Sequence, residues 1–266
     1  MMEIGLSTAS LFLKEDVENT FKIIKKLGCE VVEVFLTTFS EYKKEFADML
    51  ATRTEGLRIH SVHSLNQHFE PELFNMSPRT VRDAEELLRE VLYCGKVLGA
   101  SNYTFHGQAR LKNKPYNVSF PEFSRRVEHI CSICAEYDIT LCYENVSWTL
   151  FSYPEFYTRL KEYSKSVRCT LDIKQAMLTE YPVDEYIKTM GRDINTVHLC
   201  GVKNGVTCMP IDSDFDFCTF FEKLLRAGVD APLLLEVYSA DYKTYDDLAA
   251  SLDYLRVCLL RAKGEM

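Results

Sequence analysis

The sequence predicts an α/β fold, a single (β/α)8 barrel (TIM barrel) domain spanning residues 1–266. Two observations predict it. Short apolar segments alternate with amphipathic ones eight times along 266 residues. Several of the apolar segments are near-continuously hydrophobic, as expected of strands buried on both faces of a parallel sheet. Eight repeats in a chain of this length fit a closed barrel better than an open doubly wound sheet.

The elements follow in order. Residues 3–7 (EIGLS) read as the first strand. A helix follows within 15–28, with Val17, Phe21, Ile24 and Leu27 on one face and Gly28 as its stop. EVVEVF (30–35) is the second strand, before a polar helix from about residue 40. GLRIHSVH (56–63) precedes a long helix over 78–98, and SNYTFH (101–106) precedes one over 119–137. ITLCYE (139–144) precedes a helix from 153, and VRCTLD (167–172) one over 183–190. INTVHLC (194–200) precedes a helix over 215–227, and PLLLEVY (232–238) the last, over 244–262. No Gly-x-Gly-x-x-Gly follows a strand and no Walker loop is present, so dinucleotide and P-loop functions lose their main support. No Pro/Gly/Ser-rich linker divides the chain.

Composition narrows the partners. A hydrophobic content of 47% with 26% charged residues is that of a soluble globular protein. The net charge of −8 argues against broad nucleic-acid or anionic-membrane binding, which requires a positive field. No run approaches the roughly 18 apolar residues of a membrane span. MMEIGLSTAS shows no basic flank or cleavage pattern, so a cytoplasmic protein without a leader is expected. The ten cysteines are then expected as reduced thiols. Cys131 and Cys134 share helical spacing with Phe123, Val127 and Ile130, which makes them part of a buried stripe rather than a redox or zinc pair.

Function is carried by polar residues late in the strands. Glu33 lies near the end of strand two, His60 and His63 in strand three, and His106 at the end of strand four. Glu144 ends strand five, Asp172 ends strand six, and His198 and Glu236 lie late in strands seven and eight. An unpaired acid or imidazole inside a barrel is costly, but the C-terminal ends of the strands are where barrel chemistry resides. Any one of these acids alone could pair with a loop Lys or Arg. Four functional groups on consecutive strands, Glu144, Asp172, His198 and Glu236, instead suit one divalent cation: Mn²⁺, Co²⁺, Mg²⁺ or Zn²⁺. Without it the carboxylates would repel one another. His60 and His63 are three residues apart and so should face opposite sides; His63 is expected inside and His60 in a structural role. His68 and His129 are expected at the surface.

These residues resemble the xylose isomerase-like barrel superfamily, which includes sugar phosphate isomerases and epimerases, ketose 3-epimerases, hydroxypyruvate and inosose enzymes, and endonuclease IV. LGCEVVEVF is similar to the family's strand two, with Glu33 as its acid. SVHS and TFHG resemble the histidine motifs of strands three and four, and YENVSW the strand-five Glu-Asn motif. TLDIKQA resembles the strand-six motif, TVHLCG the strand-seven motif, and DFCTFFEKLLRAGVDAPLLLE the run into the strand-eight glutamate. The resemblance implies a metal-dependent isomerase or epimerase of a small sugar, sugar phosphate, polyol or hydroxy-ketone. It implies Glu144, Asp172, His198 and Glu236 as metal ligands, with Glu144 and Glu236 also the acid/base pair of an enediolate mechanism. Glu33, His63, His106, Asn145, Trp148, Gln175 and Lys203 are the expected substrate contacts. Trp148 either packs on a sugar face or simply covers the barrel mouth. Arg110, Lys112, Lys114, Lys174 and Lys203 are either an anion-binding set or solvated loop charges. Family members often form dimers or tetramers, so the resemblance allows a homo-oligomer.

Two departures stand out. The strand-six motif usually runs Asp-x-x-His, whereas this chain reads Asp172-Ile173-Lys174-Gln175. Gly201 stands where an acid often follows the strand-seven histidine, and GVKNGV lacks the Asp-x-His of a third zinc site. A hydrolase or lyase, endonuclease IV-like or a dehydratase, and a non-catalytic binding barrel are the alternatives.

Overall fold

A computed structural model describes residues 2–65, 68–110 and 118–265. Each of the eight predicted strands forms: β1 (Ile4–Ser7), β2 (Val31–Leu36), β3 (Arg58–Ser64), β4 (Asn102–Phe105), β5 (Thr140–Glu144), β6 (Arg168–Asp172), β7 (Ile194–Leu199) and, after a hairpin of β8 (Gly201–Lys203) and β9 (Val206–Cys208), β10 (Leu233–Leu235). The eight are parallel and close in the order β1-β10-β7-β6-β5-β4-β3-β2. Their outward residues, such as Val34, Val62 and Val197, are fully buried under the surrounding helices.

Those helices are α1 (Val17–Lys26), α2 (Lys44–Ala51), α3 (Pro78–Leu98), α4 (Phe120–Ala135), α5 (Pro154–Tyr163), α6 (Ile173–Met177), α7 (Val183–Met190), α8 (Phe217–Arg226) and α9 (Tyr245–Lys263). Val17, Phe21 and Ile24 form the buried stripe of α1, and Cys131 and Cys134 lie on that of α4. The last helix opens on a reciprocal cap between Thr244 and Asp247 and ends at a left-handed Gly264. The second helix starts later than residue 40 because the Glu41 carboxylate accepts the Thr37 and Thr38 backbone N–H groups, holding 37–43 in a turn.

Four details depart from the sequence expectation. The GVKNGV stretch is the β8–β9 hairpin, turned at Asn204 and Gly205 with φ of 52° and 78°; an Asn-Gly pair suits such a turn. Cys218 of α8 and Cys258 of α9 form a disulfide, so reduced thiols throughout are not what the structure holds; the other eight are free. His68 is half-buried rather than at the surface, bonded to Tyr42 Oη at 3.0 Å and packed on Phe39. His129 is exposed beside Glu85.

The fourth concerns His60. Val32 pairs with Ile59 and the next residue, Glu33, pairs with Ser61, leaving His60 as an extra residue in β3. Such a bulge shifts the alternation of side chains by one. His60 and His63 therefore both point into the barrel, at opposite ends. His60 Nε2 reaches across to Thr196 Oγ1 at 2.9 Å and the Asn195 carbonyl at 3.0 Å, on β7. Between the two histidines the barrel interior is built of small hydroxyls, Ser7, Ser61, Thr104, Thr170 and Thr196, all fully buried.

Burial lowers the His60 imidazole from 6.5 to about 4. The native state then binds fewer protons than the unfolded chain between those values. Its contribution is complete above about pH 6.5 and is lost as pH falls toward 4, up to about 3 kcal/mol. Urea unfolding at about pH 7 and about pH 4.5 checks this: His60→Gln should lose less stability over that interval than the unaltered protein.

Candidate metal and active site

The four late-strand groups converge at the C-terminal mouth because β5, β6, β7 and β10 are neighbours in the barrel. Asp172 pairs in register with His198, and the backbone N–H of Glu236 donates to the Leu199 carbonyl at 2.8 Å, just beyond β10. His198 Nδ1 lies 3.0 Å from Glu144 Oε1 and 3.2 Å from Glu236 Oε2. Asn145 clamps the ends of β5 and β6: its Nδ2 donates to the Asp172 carbonyl and its Oδ1 accepts the Asp172 N–H, both at 2.8 Å. Asp172 in turn caps α6, its Oδ1 accepting the Gln175 N–H at 2.8 Å.

Glu33 lies beneath this group, fully buried. It accepts hydrogen bonds from Ser7 at 3.1 Å and from Ser61 and Thr104 at 2.8 Å. Its Oε1 also lies 3.0 Å from His198 Nε2 and 3.3 Å from His63 Nδ1. His63 Nε2 meets His106 Nε2 at 3.0 Å, and His106 Nε2 lies 3.1 Å from Glu144 Oε2. Trp148, 40% exposed, stacks over His106 with ring centroids 6.0 Å apart. The β4 and β5 loops that carry these two rings are joined by a bridge between Ala109 and Thr149.

Charge balance shapes the protonation of the cluster. Burial alone would raise the Glu33 and Glu144 carboxyls, but His198 with His63, and His106 with His198, hold them well below the usual range. Burial would lower the two imidazoles; Glu236, Glu33 and Glu144 instead hold His198 well above its usual value, and Glu144 and Glu70 push His106 up to about 10. Asp172 is pushed up to about 6 by burial, which outweighs the Lys174 ammonium; Glu144 and Glu236 add to the rise. The neighbouring carboxylates thus favour the charged forms of His198 and His106.

The donor set also fits a divalent cation. Glu144, Asp172 and His198 each offer an atom within 4.8 Å of the others, as do Glu33, His198 and Glu236, and His63, His106 and Glu144. Glu144 Oε2 and Glu236 Oε2 are buried without a well-aligned hydrogen bond, despite the imidazoles close by. Buried carboxylate oxygens without an aligned donor are what a cation would satisfy. His198 Nε2 faces Glu33, which leaves Nδ1 as the nitrogen on the side of Glu144 and Glu236.

Other predicted residues stand apart from the cluster. Gln175 Oε1 accepts from the Ser147 N–H at 3.1 Å and Oγ at 2.8 Å, tying the loop after β5 to α6. Lys203 is exposed on the hairpin, and no contact among the described residues joins it to the cluster. Arg110 Nη2 donates to the Ser147 carbonyl at 3.1 Å. Lys112 and Lys114 lie outside the described residues.

Two residues acquire places that the strand pattern did not assign. Glu70, in the 3₁₀ turn Glu70–Phe74, is fully buried. It accepts the His106 and Gly107 backbone N–H groups at 2.9 and 3.0 Å and the Tyr103 hydroxyl at 2.5 Å, so it fixes the end of β4. It lies beyond β3 and outside every strand motif, and only its lodging beside Pro71 hinted at a fixed turn. Lys174 is 4% exposed, with Nζ 3.6 Å from Asp172 Oδ2 and 3.8 Å from Glu236 Oε1.

Residues 21–258 match the xylose isomerase-like TIM barrel family, and the chain belongs to it. No curated protein matches the chain by sequence. Among solved structures it is similar to a D-tagatose 3-epimerase-like protein at 19% identity and TM-score 0.81, with 99% of each chain covered. It is also similar to D-psicose 3-epimerase from Clostridium cellulolyticum H10, at 14% identity and TM-score 0.77 over 97% of this chain and 99% of that one. A probable 3-DHS dehydratase from Bacillus anthracis aligns at 13% identity and TM-score 0.75 over 96% and 98%. At these identities the likeness is one of fold.

Two outcomes follow from the buried acids. Glu33→Gln should weaken Mn²⁺ binding by about 10- to 100-fold in a calorimetric titration, because it removes the partner that orients His198. Glu70→Ala should lower unfolding free energy by about 3 kcal/mol in urea titration, since two buried N–H donors lose a charged acceptor.

Proposed function

We propose that this member of the xylose isomerase-like barrel family is a metal-dependent isomerase or epimerase of a small sugar, polyol or hydroxy-ketone. The observation that carries the proposal is the order β5-β6-β7-β10 at the mouth. It puts Asp172 and His198 in the middle, with Glu144 and Glu236 on opposite flanks. A substrate lying across β6 and β7 would have one carboxylate on each side. That arrangement suits moving a proton at a carbon next to a carbonyl, where a base on one side and an acid on the other are needed.

Glu144, Asp172, His198 and Glu236 would hold one divalent cation. When bound, the cation supplies positive charge that stabilises an enediolate. Glu144 or Glu236 removes the substrate proton and the other carboxyl returns one. Glu33 orients His198 from below. Glu70 and Trp148 position His106 from behind and above, and His106 lies 3.1 Å from Glu144 Oε2, where it tunes that carboxylate. In this reading His63 and His106 meet substrate hydroxyls, and Trp148 gives an apolar wall for a sugar face.

A second function, a metal-dependent hydrolase or lyase, is favoured by one specific observation: His63, His106 and Glu144 form a further candidate ion group that shares Glu144 with the first. Metal analysis separates the isomerase from the hydrolase, since one cation per chain fits an isomerase, as it would a dehydratase sharing the single site, and two or three fit the hydrolase.

Incubating the protein with Mn²⁺ and a panel of free ketoses in deuterated water tests the proton transfer. Deuterium should enter the substrate carbon with the unaltered protein. Glu144→Gln and Glu236→Gln should each slow this by at least about a hundredfold. Exchange retained in both variants would sink the mechanism.

A further inference from the structure

We propose that Lys174 is a built-in counter-ion that competes with the divalent cation for Asp172 and Glu236 and so keeps metal binding at this site weak and exchangeable. The inference rests on the metal site proposed above.

The geometry is specific. Asp172 Oδ1 accepts the Gln175 N–H in the first turn of α6, and Lys174 Nζ stands 3.6 Å from the other oxygen, Oδ2. Glu236 turns Oε2 toward His198 and Oε1 toward Lys174, 3.8 Å away. The ammonium thus addresses one oxygen of each of two of the four proposed ligands. Both separations exceed hydrogen-bond length, so the pairing is electrostatic and loose. The ring of Tyr238 supports the ammonium from its other side, with Nζ 4.6 Å from the centroid. Only 4% of Lys174 is exposed, so water screens its charge little.

The position also answers the departure in the strand-six motif. Gln175 faces Ser147 and carries no charge, and the positive charge of this segment is supplied one residue earlier. A fixed +1 charge beside the ligand carboxylates has two effects of the same sign. It relieves their mutual repulsion in the metal-free protein, and it repels an incoming +2 ion. Both make the gain on binding metal smaller.

Metal-stripped protein titrated with Mn²⁺ by calorimetry, together with thermal melts with and without Mn²⁺, tests this without any substrate. Lys174→Met should bind Mn²⁺ about tenfold or more tightly than the unaltered chain. Its metal-free melting temperature should fall, because two buried carboxylates lose their counter-ion, and the rise on adding Mn²⁺ should be larger than in the unaltered chain. Lys174→Arg, which keeps the charge, should retain the weak affinity. A merely structural lysine would lower the melting temperature without tightening Mn²⁺ binding. Lys174→Gln carries the same test if the methionine variant does not fold. If the unaltered chain binds Mn²⁺ and both neutral variants bind it no more tightly, the counter-ion role is overturned and the metal site stands. If neither the unaltered chain nor the neutral variants bind Mn²⁺, the metal site and the counter-ion role fall together.

Discussion

A carboxylate buried at the centre of the barrel governs the rest of the mouth. Glu33 has no solvent, so its charge must be met by the protein. The sheet answers with hydroxyls from β1, β3 and β4 and with imidazoles from β3 and β7. This is why the inward layer of these strands is Ser and Thr where a packed barrel would place Val and Leu. It is also why His198 cannot swing freely: one ring nitrogen is drawn toward Glu33, and the other is thereby presented to Glu144 and Glu236. The floor of the barrel and the chemistry at its mouth are coupled through one imidazole.

Above that imidazole the cluster has more carboxylates than neutral donors can satisfy. Charged His198 and His106 and the Lys174 ammonium stand beside that negative charge. Under the proposals above, a proton and a metal ion would exclude each other at His198 Nδ1, and Lys174 would compete with the metal for Asp172 and Glu236. The cluster is a set of crowded acids met by imidazoles and one lysine ammonium. The pinned backbone makes this workable: Asn145 bridges β5 to β6, Gln175 ties α6 to the β5 loop, and Glu70 holds the end of β4.

Much of this was legible along the chain. The strands fall where apolar runs predicted them, and Glu144, Asp172, His198 and Glu236 meet because consecutive barrel strands deliver their last residues to one face. The β8–β9 hairpin turns at Asn204-Gly205, a local signal that the strand-and-helix pattern passed over. His60 illustrates the opposite case. Strand alternation placed it outside, but the extra residue in β3 is a matter of how β2 and β3 register, and no periodicity within β3 reveals it. The Cys218–Cys258 pair, forty residues apart in sequence, depends likewise on how α8 and α9 dock.

The sequence by itself determined the fold class, the strand ends and the chemical identity of the groups found there, because hydrophobic period and residue type are local properties. Tertiary structure alone decided which of those groups touch. Glu70 became the anchor of β4 because a turn after β3 folds over a strand some thirty residues later. Lys174 came to lie beside Asp172 and Glu236 because α6 turns its side chain inward rather than out to solvent, where lysines usually go. Burial, and the charges it brings within a few ångströms, is a property of packing, and it is packing that turned a loop lysine and an unremarked glutamate into parts of the site.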